Sequence, residues 1–150
     1  MNELSRIAKW YQRSDTPPSE FETVAYLAIP FLRALGWTPQ RMAIEWNHID
    51  IGLFSKLPRN ENNLAIVVEA KKMGKSCLNA KQQAERYAQS WTTSKLIVTD
   101  GIRYGIFIKK QNEFELASYL NLTRLRSGYS IYECSGAQDA VLALTPEMAI

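Results

Sequence analysis

Hydrophobic positions along this chain change spacing several times, and the changes predict the order of its elements. Apolar residues recur at helical spacing from residue 21 to 35, directly after a capping box in which Ser19 precedes Glu22. This predicts a main helix with one buried face, and Pro30 is expected to bend its last turns. A shorter helix is predicted over residues 4 to 13.

The pattern then becomes typical of strands. Three short runs rich in Ile, Val, Leu and aromatic residues are predicted strands, at residues 42 to 46, 49 to 54 and 64 to 68. Residues 79 to 91 contain neither Gly nor Pro and carry alanines along one face, which predicts a helix packed on the sheet. Two further strands, at 96 to 98 and 104 to 108, flank the turn signal Asp100-Gly101, and residues 138 to 144 are a candidate closing helix.

This order of elements predicts an α/β protein with a central mixed sheet flanked by helices, in the order αβββαβ. The length of 150 residues favours one domain over residues 1 to 150, with residues 1 to 18 as an N-terminal extension and a segment of uncertain structure at 111 to 150. No secretory signal and no run long enough to cross a membrane is evident, so the expected location is the cytoplasm. Cys77, Cys134 and His48 do not have the spacing of a zinc site.

Charge is unevenly distributed along the sequence. The net charge is +3 overall, but it is −1 over residues 1 to 70, +7 over 71 to 110 and −3 over 111 to 150. A local positive field of this kind suits a polyanion such as nucleic acid, and a solvated lysine-rich face explains the charge equally well.

Gly74-Lys75-Ser76 matches the end of a phosphate-binding loop, GxxxxGK[ST]. The position of the first glycine of that motif is occupied here by Glu69. A carboxylate would face the phosphates that the loop is meant to surround, so we exclude a nucleotide-binding loop.

Glu69 and Lys71 lie two residues apart near the end of the predicted strand at 64 to 68, so their side chains leave the same face. A hairpin between the second and third strands would bring Asp50 beside Glu69. Two carboxylates are the oxygen ligands that Mg²⁺ prefers, and Lys71 could offset charge on a reacting phosphate. The cluster predicts metal-assisted phosphodiester hydrolysis, although Glu-x-Lys alone is also typical of a solvated strand end.

Asp50 followed by Glu69-Ala70-Lys71 resembles the core of the PD-(D/E)XK nucleases, and residues 83 to 87, QAERY, resemble the QxxxY motif of some branches. Residues 22 to 37 and 98 to 107 resemble the N-terminal nuclease domain of type I restriction enzyme R subunits. The resemblance implies a restriction-endonuclease-like core. Ile49 departs from the family's nominal proline, and these 150 residues include no motor domain.

The resemblance also implies roles for individual residues. Asp50 and Glu69 would be metal ligands for Mg²⁺, with Mn²⁺ as a substitute, and Lys71 the catalytic lysine. Glu22 would be an accessory acidic residue, and capping of the main helix is the alternative. Gln83 and Tyr87 would support the site or touch substrate. The residues expected to bind nucleic acid are Lys72, Lys75, Lys81, Arg86, Tyr87 and Arg103.

The leading hypothesis is a magnesium-dependent DNA endonuclease domain that acts in bacterial restriction or another anti-phage defence. A homodimer or a larger restriction-type assembly is expected, because one small active site cuts one strand at a time. The competing hypothesis is a non-catalytic nucleic-acid-binding or assembly module that retains the nuclease fold. RNA or a branched DNA junction stays open as the substrate.

Overall fold

A computed structural model describes residues 2–73, 93–111, 113–125, 128–129 and 134–149 of the chain. The helices are α1 (Asn2–Arg13), α2 (Glu20–Glu22), a π-helix (Thr23–Ala28), α3 (Ile29–Ala34) and α4 (Ala137–Leu144). The strands are β1 (Met42–Trp46), β2 (Ile49–Phe54), β3 (Leu64–Ala70), β4 (Lys95–Thr99), β5 (Arg103–Lys110), β6 (Glu113–Asn121), β7 (Gly128–Tyr129) and β8 (Cys134–Ser135). Short 3-10 turns lie at Pro39–Arg41, Glu61–Asn63 and Pro146–Ala149.

All eight strands form one mixed sheet, in the order β1-β2-β3-β4-β5-β6-β8-β7. Strands β1 to β3 are antiparallel neighbours, β3 and β4 are parallel, and β4 to β6 are again antiparallel. Because β3 and β4 are parallel, both strands finish at the same end of the sheet, and the antiparallel β2 begins at that end. This end of the sheet carries Asp50, Glu69 and Lys71.

The main helix is continuous but changes its winding. The Ser19 hydroxyl accepts from the amide of Glu22, and the Glu22 carboxylate accepts from the amide of Ser19, so the predicted capping box is confirmed. A π-helix follows over Thr23–Ala28, directly before the turn that holds Pro30. Proline lacks an amide hydrogen and crowds the carbonyl four residues before it, which favours irregular winding there. The predicted bend therefore takes the form of a widened turn.

This helix lies very close to the turn between β4 and β5. A Cβ added to Gly101 would stand 2.6 Å from Cδ1 of Leu27 and 3.0 Å from Cγ2 of Thr23. Gly101 also has a φ of +92°, which favours glycine. Glycine at this position therefore allows the main helix to pack closely against the turn between β4 and β5.

Both faces of the sheet are buried. One face packs against α1, the main helix and α4, and its core includes Leu4, Leu27, Phe31, Ile66 and Leu144. The opposite face buries a second cluster that includes Phe54, Leu64, Val67, Phe107 and Phe114. Each large apolar side chain fully buried in this way contributes about 1.5 to 3 kcal/mol to folding. The strands that carry Asp50 and Glu69 are therefore packed on both faces.

The α/β class, with a mixed sheet flanked by helices, is confirmed, and the arrangement is consistent with a restriction-endonuclease-like core. The third strand is longer than predicted and extends to Ala70, so Glu69 lies within it. The candidate closing helix is confirmed as α4. The predicted helix at 79 to 91 lies outside the described residues.

The terminal regions hold more structure than the sequence indicated. Strand β6 was not predicted, and it pairs with β5 along its length. Its exposed Glu113 and Glu115 flank the buried Phe114, an alternation typical of a strand. Helix α1, in the proposed extension, buries Leu4 and Ala8 in the main core. Within the described ranges, no helix has the length and apolar character needed to cross a bilayer.

Candidate active site

Asp50 and Glu69 meet across the β2–β3 pair. Ile51 of β2 faces Val68 of β3, and continuing this antiparallel register by one residue places Asp50 opposite Glu69. Oδ2 of Asp50 accepts a hydrogen bond of 2.7 Å from the backbone amide of Ala70. The hairpin therefore brings the two carboxylates together, as predicted, and a backbone amide fixes the orientation of one of them.

Glu69 is a buried carboxylate with an unusual environment. It is 6% exposed, and its Oε2 atom has no hydrogen-bond partner among the described residues. Burial, reinforced by the negative charge of Asp50 and by a hydrogen bond between the two carboxyl groups, raises the pKa of Glu69 from 4.5 to about 7, while the positive charge of Lys71 acts in the opposite direction. Near neutral pH this carboxyl therefore retains a proton for a substantial part of the time.

Lys71 lies at the end of the same strand. Its Nζ atom is 4.0 Å from Oε1 of Glu69, and the side chain is 26% exposed. Its backbone amide donates a hydrogen bond of 2.7 Å to the carbonyl of Thr99, which ties the end of β3 to the end of β4. The ammonium group is thus placed between the buried carboxylate and solvent, where a phosphate could approach it.

The first turn of the main helix contributes an acidic residue that the sequence interpretation missed. Glu20, and not Glu22, lines a cavity together with Asp50, and its charge contributes to the raised pKa of Glu69. Oε1 of Glu22 instead accepts a hydrogen bond of 3.1 Å from Ser19 in the capping box. The capping box was itself the available signal, because it occupies the Glu22 carboxylate. A role for Glu22 at the metal stays a prediction.

Two cavities meet at Asp50. The smaller, of about 90 Å³, lies between the start of the main helix and the first hairpin, and its lining is Glu20, Phe21, Val24, Ile44, Glu45 and Asp50. The larger, of about 540 Å³, is lined by Glu45, Asn47, His48, Ile49 and Asp50. Asp50 therefore lies at a junction between the helix start and the hairpin tip.

The donor set of this site fits a hard divalent cation. A buried carboxylate oxygen without a partner and a second carboxylate beside it are the groups that Mg²⁺ binds in proteins, where it retains several water ligands. Within the described part of the chain, no group of three or more His, Cys, Asp and Glu side chains is arranged to hold a metal. The site therefore suits an ion bound by two carboxylates and completed by water and substrate.

The residues expected to contact nucleic acid have different surroundings. Lys72 is exposed immediately after Lys71. Arg103 begins β5, and its Nη2 and Nε atoms lie 2.6 and 2.8 Å from Oδ2 of the buried Asp100. Its guanidinium therefore has a structural partner, and contact with phosphate stays a prediction. The other predicted residues, Lys75, Lys81, Gln83, Arg86 and Tyr87, lie outside the described residues.

Comparison with known proteins gives a distant likeness. No protein-family model matches the chain, and no curated protein matches it. Among solved structures, the chain is similar to a fragment assigned as an HsdR subunit of a type I restriction enzyme from Vibrio vulnificus YJ016, with 21% sequence identity and a TM-score of 0.49. The similar region covers 66% of this chain and 22% of that chain. This chain thus spans less than a quarter of that protein fragment.

Proposed function

We propose that this chain is a magnesium-dependent nuclease domain that hydrolyses phosphodiester bonds in DNA. The observation that carries the proposal is the pairing of the buried Glu69 with the partly exposed Asp50, in which one oxygen of Glu69 lacks a partner and Lys71 stands 4.0 Å from the other. Two ionised carboxylates in contact repel each other, and either a proton or a cation relieves that repulsion. A divalent cation would take the place of the proton that Glu69 retains and would also bind its unpartnered oxygen.

Asp50 and Glu69 are the residues that would hold Mg²⁺, and we expect Mn²⁺ to substitute. When bound, the ion supplies Lewis acidity toward a phosphoryl oxygen and lowers the pKa of water. The amide of Ala70 holds Asp50 in one orientation, so little reorganisation is needed on binding. Lys71 contributes positive charge that stabilises the extra negative charge of the transition state.

The raised pKa of Glu69 should make the binding of a divalent cation depend on pH. Near neutral pH the apo site retains a proton on this carboxyl for part of the time, because burial and the charge of Asp50 oppose its ionisation. A divalent cation competes with that proton, since metal ligands must be deprotonated. Metal binding should therefore release protons and tighten as the pH rises through about 7.

DNA as the substrate class is supported by the positive charge of residues 71 to 110 and by the sequence resemblance to restriction nucleases. The same resemblance supports a role in restriction or another anti-phage defence, and a homodimer or a larger assembly as the active form. RNA and branched junctions belong among the substrates to be compared.

The test is cleavage of supercoiled plasmid, linear duplex, single-stranded DNA and RNA by the purified chain, in Mg²⁺, Mn²⁺ or EDTA. Lys71→Ala should lower metal-dependent cleavage by about 100-fold or more. Lys110→Ala is the matched control, because this exposed lysine, at the end of β5, pairs with the exposed Glu115 at 3.5 Å. It should leave cleavage unchanged.

Cleavage that persists when Asp50→Ala and Lys71→Ala are combined would overturn the nuclease assignment. Salt-sensitive DNA binding without any metal-dependent cleavage would favour the alternative, a binding or assembly module that retains the fold. The two results are distinguishable in one preparation, because binding is measured in EDTA and cleavage in Mg²⁺.

A further inference from the structure

The hairpin between β1 and β2 has a two-residue tip, Asn47-His48, immediately before Ile49 and Asp50. Both tip residues have left-handed backbones, with φ of 46° and 70°. Positive φ at both central residues is the geometry of a type I′ turn, which matches the twist of the flanking strands. The tip is thus a tight turn with both side chains exposed.

The left-handed backbone explains the presence of Asn47 better than that of His48. Asparagine is favoured in a left-handed conformation, and glycine is the residue usually found after it in this turn. His48 occupies that second position, where a side chain costs free energy that glycine would not. Histidine is among the non-glycine residues enriched at positive φ, but it is less favourable there than glycine, and its exposed imidazole is accessible to a ligand outside the turn.

The tip is firmly anchored at its base. On one side, the ring of Trp46 stands edge-on to Phe54 with centroids 5.3 Å apart. On the other side, Ile49 is buried, with 1% of its surface exposed. Both contacts hold the hairpin against the second core cluster, so Asn47 and His48 project from a rigid support.

The tip shares a cavity with the candidate metal ligand. Asn47, His48 and Asp50 line the same space of about 540 Å³. Two residues of extended strand span roughly 6.6 Å, and successive phosphates of one DNA strand are spaced about 3.4 Å along the helix axis. Side chains at the tip therefore reach nucleotides within about two steps of a phosphate held at Asp50.

The negative charges around the tip favour contact with bases over contact with phosphates. Glu45 and Asp50 line the same cavity, so the tip itself is a poor place for a second phosphate. Base edges are uncharged and present donors and acceptors that match the side-chain amide of Asn47 and the ring nitrogens of His48. A two-stranded β-ribbon also has dimensions that fit the major groove.

We propose that the β1–β2 hairpin tip reads base edges beside the cleavage position, with His48 and Asn47 as the residues that bias which sequence is cut. This inference rests on the proposed nuclease function, because it places the tip relative to the reacting phosphate. An adenine is the base best matched by Asn47, through paired hydrogen bonds to N6 and N7.

The experiment maps cut ends on a random-sequence duplex library in Mg²⁺, for the wild-type chain and for His48→Gly and Asn47→Ala. We expect a base preference within about two positions of the cut, reduced about tenfold in either variant. His48→Gly should also raise Tm, because it creates the Asn-Gly pair that the turn favours. A higher Tm together with a lost base preference would mean that His48 contacts bases and that the loss does not come from a folding defect.

Gln111→Gly is the matched control. Gln111 also has a left-handed φ, of 58°, and it follows β5 at the opposite end of the sheet. It should raise Tm in the same way and leave the base preference unchanged. An unchanged preference in both tip variants would overturn the inference.

Binding selection from the same library in EDTA separates this inference from the proposed function. If the wild-type chain does not cleave but binds with a preference that His48→Gly removes, the nuclease assignment fails and the reading role stands. Binding without any preference, or no binding, overturns the reading role.

Discussion

Two buried carboxylates at the ends of neighbouring parallel strands have opposite surroundings. Asp100, just beyond β4, is fully buried, and its side chain accepts hydrogen bonds from the amides of Ile102 and Arg103 and from the guanidinium of Arg103. Glu69, in β3, is 6% exposed, lies against Asp50 and has one oxygen without a partner in the described residues.

The difference shows how one fold can compensate a buried carboxylate fully in one place and leave another without a full set of partners. Each Asp100 oxygen is matched by donors from its own turn, and these hydrogen bonds stabilise the buried ion and the turn together. The nearest charged groups around Glu69 include another carboxylate, and the lysine stands at 4.0 Å. A carboxylate that the fold leaves incompletely compensated is available to a ligand that carries positive charge.

The largest effect should come from removing the satisfied carboxylate. Asp100→Ala should lower the free energy of unfolding by about 3 kcal/mol, because it leaves the Arg103 guanidinium and two turn amides without their acceptor. Urea denaturation measures this loss. The exposed Glu113→Ala should change stability by less than about 0.5 kcal/mol. A loss for Asp100→Ala as small as that of the control would remove the contrast between the two carboxylates.

Removing the charge of Glu69 should have the opposite sign. Glu69→Gln should raise the free energy of unfolding by about 2 kcal/mol at pH 8 without divalent cations, because it removes a poorly compensated buried charge. The new amide can also donate to Asp50. Urea denaturation of both proteins in EDTA measures the gain, and metal-dependent cleavage should be lost in the same variant. A destabilised variant would mean that Glu69 is structural.

The pH dependence of stability follows from the raised pKa of Glu69. The unfolded chain loses this proton near pH 4.5, whereas the folded chain keeps it up to about pH 7. Between these values the folded state binds more protons, so the contribution of Glu69 to stability is present below pH 4.5 and is lost as the pH rises through 7. The difference between wild type and Glu69→Gln should grow across this window. A constant difference from pH 5 to pH 8 would contradict the assigned pKa.

A divalent cation should reverse this loss. At ten times its Kd, Mg²⁺ should stabilise the wild-type chain by about 1.4 kcal/mol, because it binds the folded state and not the unfolded one. Thermal unfolding over a Mg²⁺ titration at pH 8 gives the shift. Glu69→Gln should abolish it, whereas Glu113→Ala should preserve it. An equal shift in all three proteins would indicate a general salt effect.

The sequence predicted the parts of this arrangement that depend on local pattern. Two short apolar runs and a short connection predict the β2–β3 hairpin, and register then brings Asp50 to Glu69. The left-handed backbones of Glu45 and His48 and the missing partner of one Glu69 oxygen could not be predicted, because they depend on tertiary packing. The choice between Glu20 and Glu22 was only half predictable, because the predicted capping box already indicates that the Glu22 carboxylate is occupied, whereas the position of Glu20 beside Asp50 depends on tertiary packing.

Substitutions of Glu20 and Glu22 should have the smallest effects. Glu22→Gln retains the capping oxygen and should cost at most about 0.5 kcal/mol, because a neutral amide caps less well beside the helix dipole. It should leave the affinity for Mg²⁺ unchanged. Glu20→Gln should hardly change stability but should weaken Mg²⁺ binding by about threefold, because it removes a nearby negative charge.

Isothermal titration with Mg²⁺ and urea denaturation of both variants test the assignment. The reverse pattern, with weaker binding only in Glu22→Gln, would mean that the capping carboxylate leaves Ser19 to join the metal. Glu22, which the sequence resemblance implies, would then be the accessory acid, and Glu20, which lines the cavity beside Asp50, would not. Equal binding in both variants would restrict the metal site to Asp50 and Glu69, the carboxylates that the strand register brings together.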